Sequence, residues 1–382
     1  MRRNPVTLTA VLLAASVLFA VCSSAALPAQ KPSPSPTESR AAKPAGSTPE
    51  PKAAEATLAQ KSPESKPEQK AAQAKPAPAG PAQRTRIRLP VLEGTQMFIY
   101  KVMQDQKLAE KYNLNVELRP VASPVALNTA LISKEADFAV AGWLTVALYR
   151  TQGEGLRIVY PFGMPDTNVI VKKGSPIKNL GDLKGKAIGI YGGPAAATTG
   201  LFRAICVRFF GFDPVKDSKV NFGAAPLMGA MLDKGDVDAI LMLNPQLTKM
   251  LLTGQYADLG NLGVIWKQKT GAVVMNTALT TNDDFAKKNP AAVKAFVKAM
   301  SESIDYASSH PEIWPALARS VGIDTPEGAD MLRKQQISIW FNKMDQKFIN
   351  EQKQYAEALI SIMGKDFLPH YPEDVFTLDF VP

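Results

Sequence analysis

Apolar residues enter this chain in three regimes. Val6 to Val21 is an uncharged apolar run, including Val11-Leu12-Leu13 and Val17-Leu18-Phe19. From Gln30 to Gln83 apolar side chains almost vanish: the stretch holds one Leu, Leu58, and no aromatic residue. From Arg86 onward they return with regular spacing. Ile87–Val91 reads as a strand. Met97–Lys111 reads as a helix, because Phe98, Val102, Leu108 and Tyr112 share one face. Val116–Val121 and Asp137–Val140 are further strands, with a helix over Val125–Ser133 between them. This alternation of strand and helix implies a parallel sheet covered by helices.

The rhythm breaks at the turn Lys173-Gly174-Ser175-Pro176, just after a strand ending at Ile170-Val171, and then restarts. Ala187–Ile190 is a buried strand and Ala195–Phe210 a helix. Val220–Phe222 and Ala239–Met242 are strands around a helix at Met228–Leu232. One more strand is expected at Ala272–Met275, followed by helices only. Asn282-Asp283-Asp284 is the cap of the first of these. The others run near Pro290–Ser308, Ile313–Ser320, Glu327–Phe341 and Asp345–Met363. The expected architecture is therefore α/β and two-lobed. Residues 84–173 begin lobe 1, residues 174–269 form lobe 2, and residues 270–382 return to lobe 1 and end in helices.

The first two regimes supply an address rather than a core. Arg2 and Arg3 precede the apolar run, and Ser23, Ser24, Ala25 and Ala26 follow it. That order fits an export signal over residues 1–26, and the run is short for a membrane span. Residues 27–83, rich in Pro, Ala and Lys, cannot bury enough apolar surface to offset ordering, so a disordered, semi-stiff linker is expected. Cys22 is either lipidated, as an anchor, or removed with the signal; Val21 is a poor fit directly before a lipidated Cys. The expected location is periplasmic, with the membrane reached only through that anchor or through a transporter.

Composition narrows the chemistry further. The formal net charge is +9, but no block of five or six basic residues occurs, so nucleic acid is not an expected partner. Besides Cys22 the chain has only Cys206, in an apolar helical stretch. Its two His, His310 and His370, lie far from that Cys in sequence. A nucleophilic triad or a His-based metal site has almost no raw material. No catalytic residue, metal or cofactor is expected.

Four segments, in order, carry a family resemblance. Tyr112–Leu118 looks like a "GLxVEL" strand entry, and Asn128–Ala139 like an "ALxxGxxDxA" helix–strand unit. Asn179–Ile190, "NLGDLKGKAIGI", is similar to "SLADLKGKRIGV", and Asp233–Ile240 to "LAAGQVDAAV". Together they resemble the type II periplasmic solute-binding proteins of ABC transporters that carry nitrate, sulfonates, taurine and thiamine pyrimidine precursors. The resemblance implies two lobes joined by two crossing strands, near Val171–Gly174 and Lys269–Val273. It also implies a monomeric receptor, not an enzyme, with a small-molecule ligand and permease subunits as partners. Two departures sit at the cleft. Leu243-Asn244-Pro245-Gln246 replaces an aromatic motif, and Ala141-Gly142-Trp143 replaces a Gly-Gly pair.

In such sheets ligands sit beyond the carboxyl ends of strands. The sharpest candidate is Gly192-Gly193-Pro194 leading to Thr198 and Thr199, a turn suited to an anion at a helix start or, equally, an ordinary capped turn. Gly94, Thr95 and Gln96 follow the first strand. Gly142 and Trp143 follow the third; Trp143 either stacks on a planar ligand or covers the sheet edge. Asp166, Thr167 and Asn168, with Asn244 and Gln246, complete the ring. Asp166 either pairs an amine or caps its own turn. A small organic anion such as a sulfonate is the first expectation for the ligand, and a planar heterocycle or aromatic acid the second. The alternatives in function are an enzyme or a sensor on the same fold.

Overall fold

The computed structural model describes residues 84–382. The expected signal, the linker and Cys22 lie outside the described residues. Within them, ten strands form: β1 Thr85–Val91, β2 Leu114–Pro120, β3 Phe138–Gly142, β4 Leu156–Gly163, β5 Asn168–Lys172, β6 Ala187–Tyr191, β7 Lys219–Gly223, β8 Ala239–Met242, β9 Tyr256–Asn261 and β10 Thr277–Asn282.

β1 and β2 pair in parallel, and β10 lies antiparallel between β3 and β4. These two ladders adjoin at Asp137. Its N–H donates to the Arg88 carbonyl (3.0 Å), and its carboxylate accepts the Arg88 backbone N–H (2.7 Å) and guanidinium. The second sheet has the order β7-β6-β8-β5-β9; β6 is parallel to β7 and β8, and β5 is antiparallel to both its neighbours. Each sheet thus carries one reversed strand inserted from a distant part of the chain, where a wholly parallel arrangement was expected.

That insertion moves the lobe break. β5, expected to close the first lobe, pairs with β8 and β9 in the second sheet. The chain crosses between sheets at residues 164–167, not at Val171–Gly174. Lys173-Gly174-Ser175-Pro176 is a turn inside the second sheet's own region. Both segments carry a Pro, so turn composition alone could not rank them.

The return crossing explains another difference. Val273-Val274-Met275 has strand-forming composition, but no strand forms there. Its backbone bonds go to side chains instead. The Met275 N–H donates to Gln352 Oε1 (2.8 Å), and the Val273 N–H to Glu351 Oε2 (3.2 Å). The Val273 carbonyl accepts from Gln352 Nε2 (3.1 Å). The strand itself begins two residues later, at Thr277.

Helices start where capping residues stand. Side chains of Ser123, Asn282, Thr325 and Asp345 accept backbone N–H bonds at the starts of Pro124–Ile132, Asp283–Lys288, Pro326–Ile339 and Gln346–Met363. The expected helix over 97–111 divides into Met97–Asp105 and Leu108–Lys111, because Lys107 adopts a left-handed conformation (φ 53°). The expected helix over 195–210 is α-helical at Ala197–Ile205 and then widens into a π turn, Cys206–Phe210.

Ile87, Leu89 and Val91 on β1 share a buried cluster with Phe98, Phe296 and Trp314. Burying such side chains is worth roughly 1.5–3 kcal/mol each. The helix Gln346–Met363 ties both sheets together: Tyr355 packs near Trp143, which follows β3, and near Trp266, which follows β9. Leu359 lies against Gly200 of the second sheet's first helix.

Candidate functional site

A cleft of about 920 Å³ opens along the ends of the strands of both sheets. The first sheet contributes the loop Glu93–Gln96, which leaves β1 and starts the helix Met97–Asp105. Gly94 has φ +105°, a conformation that a side chain would strain, so glycine lets the chain turn there. Met97, Phe98 and Lys101 of that helix extend the wall. The second sheet contributes Tyr191 at the end of β6, Ala225 after β7, and Leu243–Gln246 after β8. The crossings supply Met164, Asp166, Asn276 and Thr277, and the C-terminal helices add Gln336 and Trp340.

The most constrained polar group is Asp166. Asn244 Nδ2 donates to its Oδ1 (3.1 Å) and Gln336 Nε2 to its Oδ2 (3.0 Å). Asn244 is held in turn, because its Oδ1 accepts the Thr248 backbone N–H (3.3 Å) and hydroxyl (2.7 Å). Burial raises the Asp166 carboxyl above the ordinary carboxylate range, and the two amide bonds, with a third from the Asn244 backbone N–H, pull partly against that rise. Asp166 is therefore no local cap: its partners lie 78 and 170 residues away. Trp340 stacks on Trp314 with ring centroids 5.6 Å apart, which fixes its indole at the wall. Two cations also line the cleft. Lys101 pairs with Asp105 (3.3 Å), and Lys249 is exposed.

The structure brings six of the expected residues to this cleft: Gly94, Thr95, Gln96, Asp166, Asn244 and Gln246. The others sit elsewhere. Trp143 is wholly buried; its Nε1 donates to the Met275 carbonyl (2.7 Å), and its ring packs on Tyr355 and Phe376. It does not reach the cleft, and Gly142 beside it ends β3. Thr167 is buried, and its carbonyl accepts the Leu262 N–H (2.9 Å). Asn168 ties β5 to β9, donating to Asp258 (2.8 Å) and accepting from Asn261 (3.1 Å).

Gly192, Gly193, Thr198 and Thr199 are also absent from the lining. Gly192, at φ +95°, donates its N–H to the Gly223 carbonyl (3.0 Å), and buried Thr199 donates its hydroxyl to the Gly193 carbonyl (2.8 Å). Thr198 is half-buried. The turn is thus tied to the end of β7 and to its own helix, and only its neighbour Tyr191 lines the cleft.

Sequence reasoning missed Lys101, Tyr191, Asn276, Thr277, Gln336 and Trp340. Lys101 follows the Gln96 loop by little more than one helical turn, so extending the loop into its helix would have found it. Gln336 and Trp340 carry no motif and lie far from Asp166 along the chain.

The family model described as "NMT1/THI5 like" matches residues 109–313, more than half of the chain. This chain belongs to the NMT1/THI5-like family. A protein from Haemophilus influenzae named "Putative thiamine biosynthesis protein" is 27% identical over 226 residues. That match spans 56% of this chain and 66% of the relative, just under two thirds of it.

Among solved structures, the periplasmic aliphatic sulphonate binding protein from Escherichia coli superposes with a TM-score of 0.63 at 18% identity, over 76% of this chain and 90% of that one. The periplasmic nitrate-binding protein from Synechocystis gives 0.56 at 15% identity, over 78% and 87%. The alkanesulfonate-binding protein from Xanthomonas axonopodis, solved with MOPS, gives 0.59 at 16%, over 77% and 97%. The NMT1/THI5-like chain therefore has the two-lobed α/β fold of these periplasmic binding proteins, as its sequence motifs implied.

Proposed function

We propose that this protein is an extracytoplasmic solute-binding receptor of an ABC importer. It captures one small organic molecule in the cleft and delivers it to permease subunits. In this reading the first lobe comprises residues 84–163 and 277–382, and the second comprises residues 168–261. One observation carries the reading: a cleft of about 920 Å³ is lined jointly by loops of both sheets and by the segments that cross between them. That volume suits a small molecule. Closing the two lobes would enclose it, and two crossing segments are a natural hinge.

The Haemophilus relative's name raises the reading of an enzyme on the same fold. Reactive side chains favour binding instead. Cys206 is wholly buried, with its thiol pushed up by burial, and His310 stacks on Tyr306 away from the cleft. The sulfonate-like anion expected first drew on the family resemblance and on the Gly192–Thr199 turn; the turn does not line the cleft, so the resemblance alone now speaks for that ligand class. Native mass spectrometry of the purified protein with a metabolite mixture tests the receptor. One solute per chain, released chemically unchanged, is the expected result. A solute consumed or altered on incubation would replace the receptor with an enzyme.

A further inference from the structure

A second, smaller hollow of about 200 Å³ lies on the first lobe, and none of its described lining residues also lines the cleft. The cleft opens where β1 ends, at Glu93–Gln96. The hollow opens where β1 and β2 begin, beside Arg84 and Leu114. One wall is the helix Met97–Asp105, which presents Tyr100 and Met103 three residues apart. The other wall is β2, where Leu114, Val116 and Leu118 alternate onto one face.

The inner wall carries an unspent polar group. Tyr100 is 1% exposed, and its hydroxyl has no hydrogen-bond partner among the described residues. Burial pushes its pKa up, so the group stays protonated and keeps a hydrogen to donate. The surrounding walls are apolar: Met103 and Leu114 are buried, and Val116 and Leu118 are half-buried. A trapped water needs roughly two to four polar partners, and these walls supply few. The mouth is basic. Arg84 pairs with Glu110 (2.7 Å), whereas exposed Lys107 has no acidic partner among the described residues.

The geometry points to a second small-molecule site, distinct from the cleft, that takes a small hydroxy or oxo acid. The acid's inner oxygen accepts the Tyr100 hydroxyl, its short apolar body lies on Met103 and Leu118, and its carboxylate pairs with Lys107 at the mouth. This site goes beyond the receptor reading and does not rest on it.

The test is methyl NMR of the full chain with labelled methionine. Met103 lines the hollow, while Met97 and Met164 line the cleft, so each site has its own reporter. The probes are para-hydroxybenzoate and levulinate, each paired with a partner lacking the inner oxygen, benzoate and valerate. All are titrated to about 10 mM, tenfold above the millimolar affinity expected of so small a solute. The expected result is a shift at Met103 with Met97 and Met164 unmoved. The oxygenated acids should bind roughly three- to tenfold more tightly than their partners. Tyr100→Phe should remove that advantage and leave the melting temperature without ligand unchanged or higher, because the hydroxyl it deletes has no partner. Lys107→Gln, at an exposed position, should weaken all the acids and keeps the test open should Tyr100→Phe fail to fold. Shifts confined to Met97 and Met164 would place the acids in the cleft and overturn the proposal, as would silence at Met103. Benzoate and valerate binding as tightly as the oxygenated acids would overturn it as well. So would a lower melting temperature for Tyr100→Phe with no acid bound, which would show the hydroxyl spent on a trapped water. None of these outcomes bears on the receptor reading.

Discussion

At the scale of single residues, Asp166 and Trp143 each resolve an alternative that the sequence left open: Asp166 lines the cleft and Trp143 is buried away from it. The Pro165-Asp166-Thr167 turn signal hid a long-range partner, because hydrogen bonds to Asn244 and Gln336 leave no local pattern. Trp143 follows a strand end, as ligand-stacking aromatics do, yet its indole N–H is spent on the Met275 carbonyl. Trp143→Phe should therefore cost about 1–3 kcal/mol of stability and leave solute affinity unchanged. Urea denaturation and calorimetry on the same sample check both halves; a loss of affinity at full folding would return Trp143 to the site. Asp166 gives a pH signature. Its folded-state value lies above the unfolded one, near 3.9. Its contribution to stability is thus fully present below that value and lost as pH rises through the raised one. Asn at this position is neutral throughout. The melting temperature of Asp166→Asn relative to the natural protein should rise as pH is raised above about 3.9, where the unfolded carboxyl begins to ionise. A difference that stays flat as pH rises would show that burial does not shift this carboxyl.

At the scale of elements, periodicity placed most helices and seven strands near their observed positions. Pro290–Ser309 is the clearest case, where Val293, Phe296, Val297, Met300 and Ile304 recur at helical spacing and are all buried. β4 and β9 were missed, and β10 was expected too early, at Ala272–Met275. Leu156–Gly163 is apolar on both faces and is interrupted by Pro161, while Tyr256–Asn261 is a half-exposed edge strand. Neither shows a period of two. Val273–Met275 failed in the opposite sense, since strand composition was met by side-chain partners on a helix about 77 residues further on. The buried Gln352 that supplies them is visible only in three dimensions. Gln352→Met keeps the volume but strands the Met275 N–H and the Val273 carbonyl. It should cost about 1–3 kcal/mol for each group left unpaired, read as a lower melting temperature. A variant as stable as the natural chain would show that this crossing segment finds other partners.

At the scale of the molecule, four ordered motifs made the two-lobed fold legible, because they mark strand-to-helix units that recur in each lobe. The lobe break and half the cleft were not legible, since both depend on strands and helices that pack far from their sequence neighbours. Two lobes joined by two crossing segments should close on a solute. Val125, after β2, is 69% exposed, and Leu227, after β7, is 52% exposed, so each can carry a label without disturbing a core. Spin labels at these two positions, with Cys22 replaced and buried Cys206 left in place, report the distance between the lobes directly. A shorter, narrower distance distribution at saturating solute, restored on dialysis, is the predicted result. An identical distribution with and without bound solute would show that the lobes do not close.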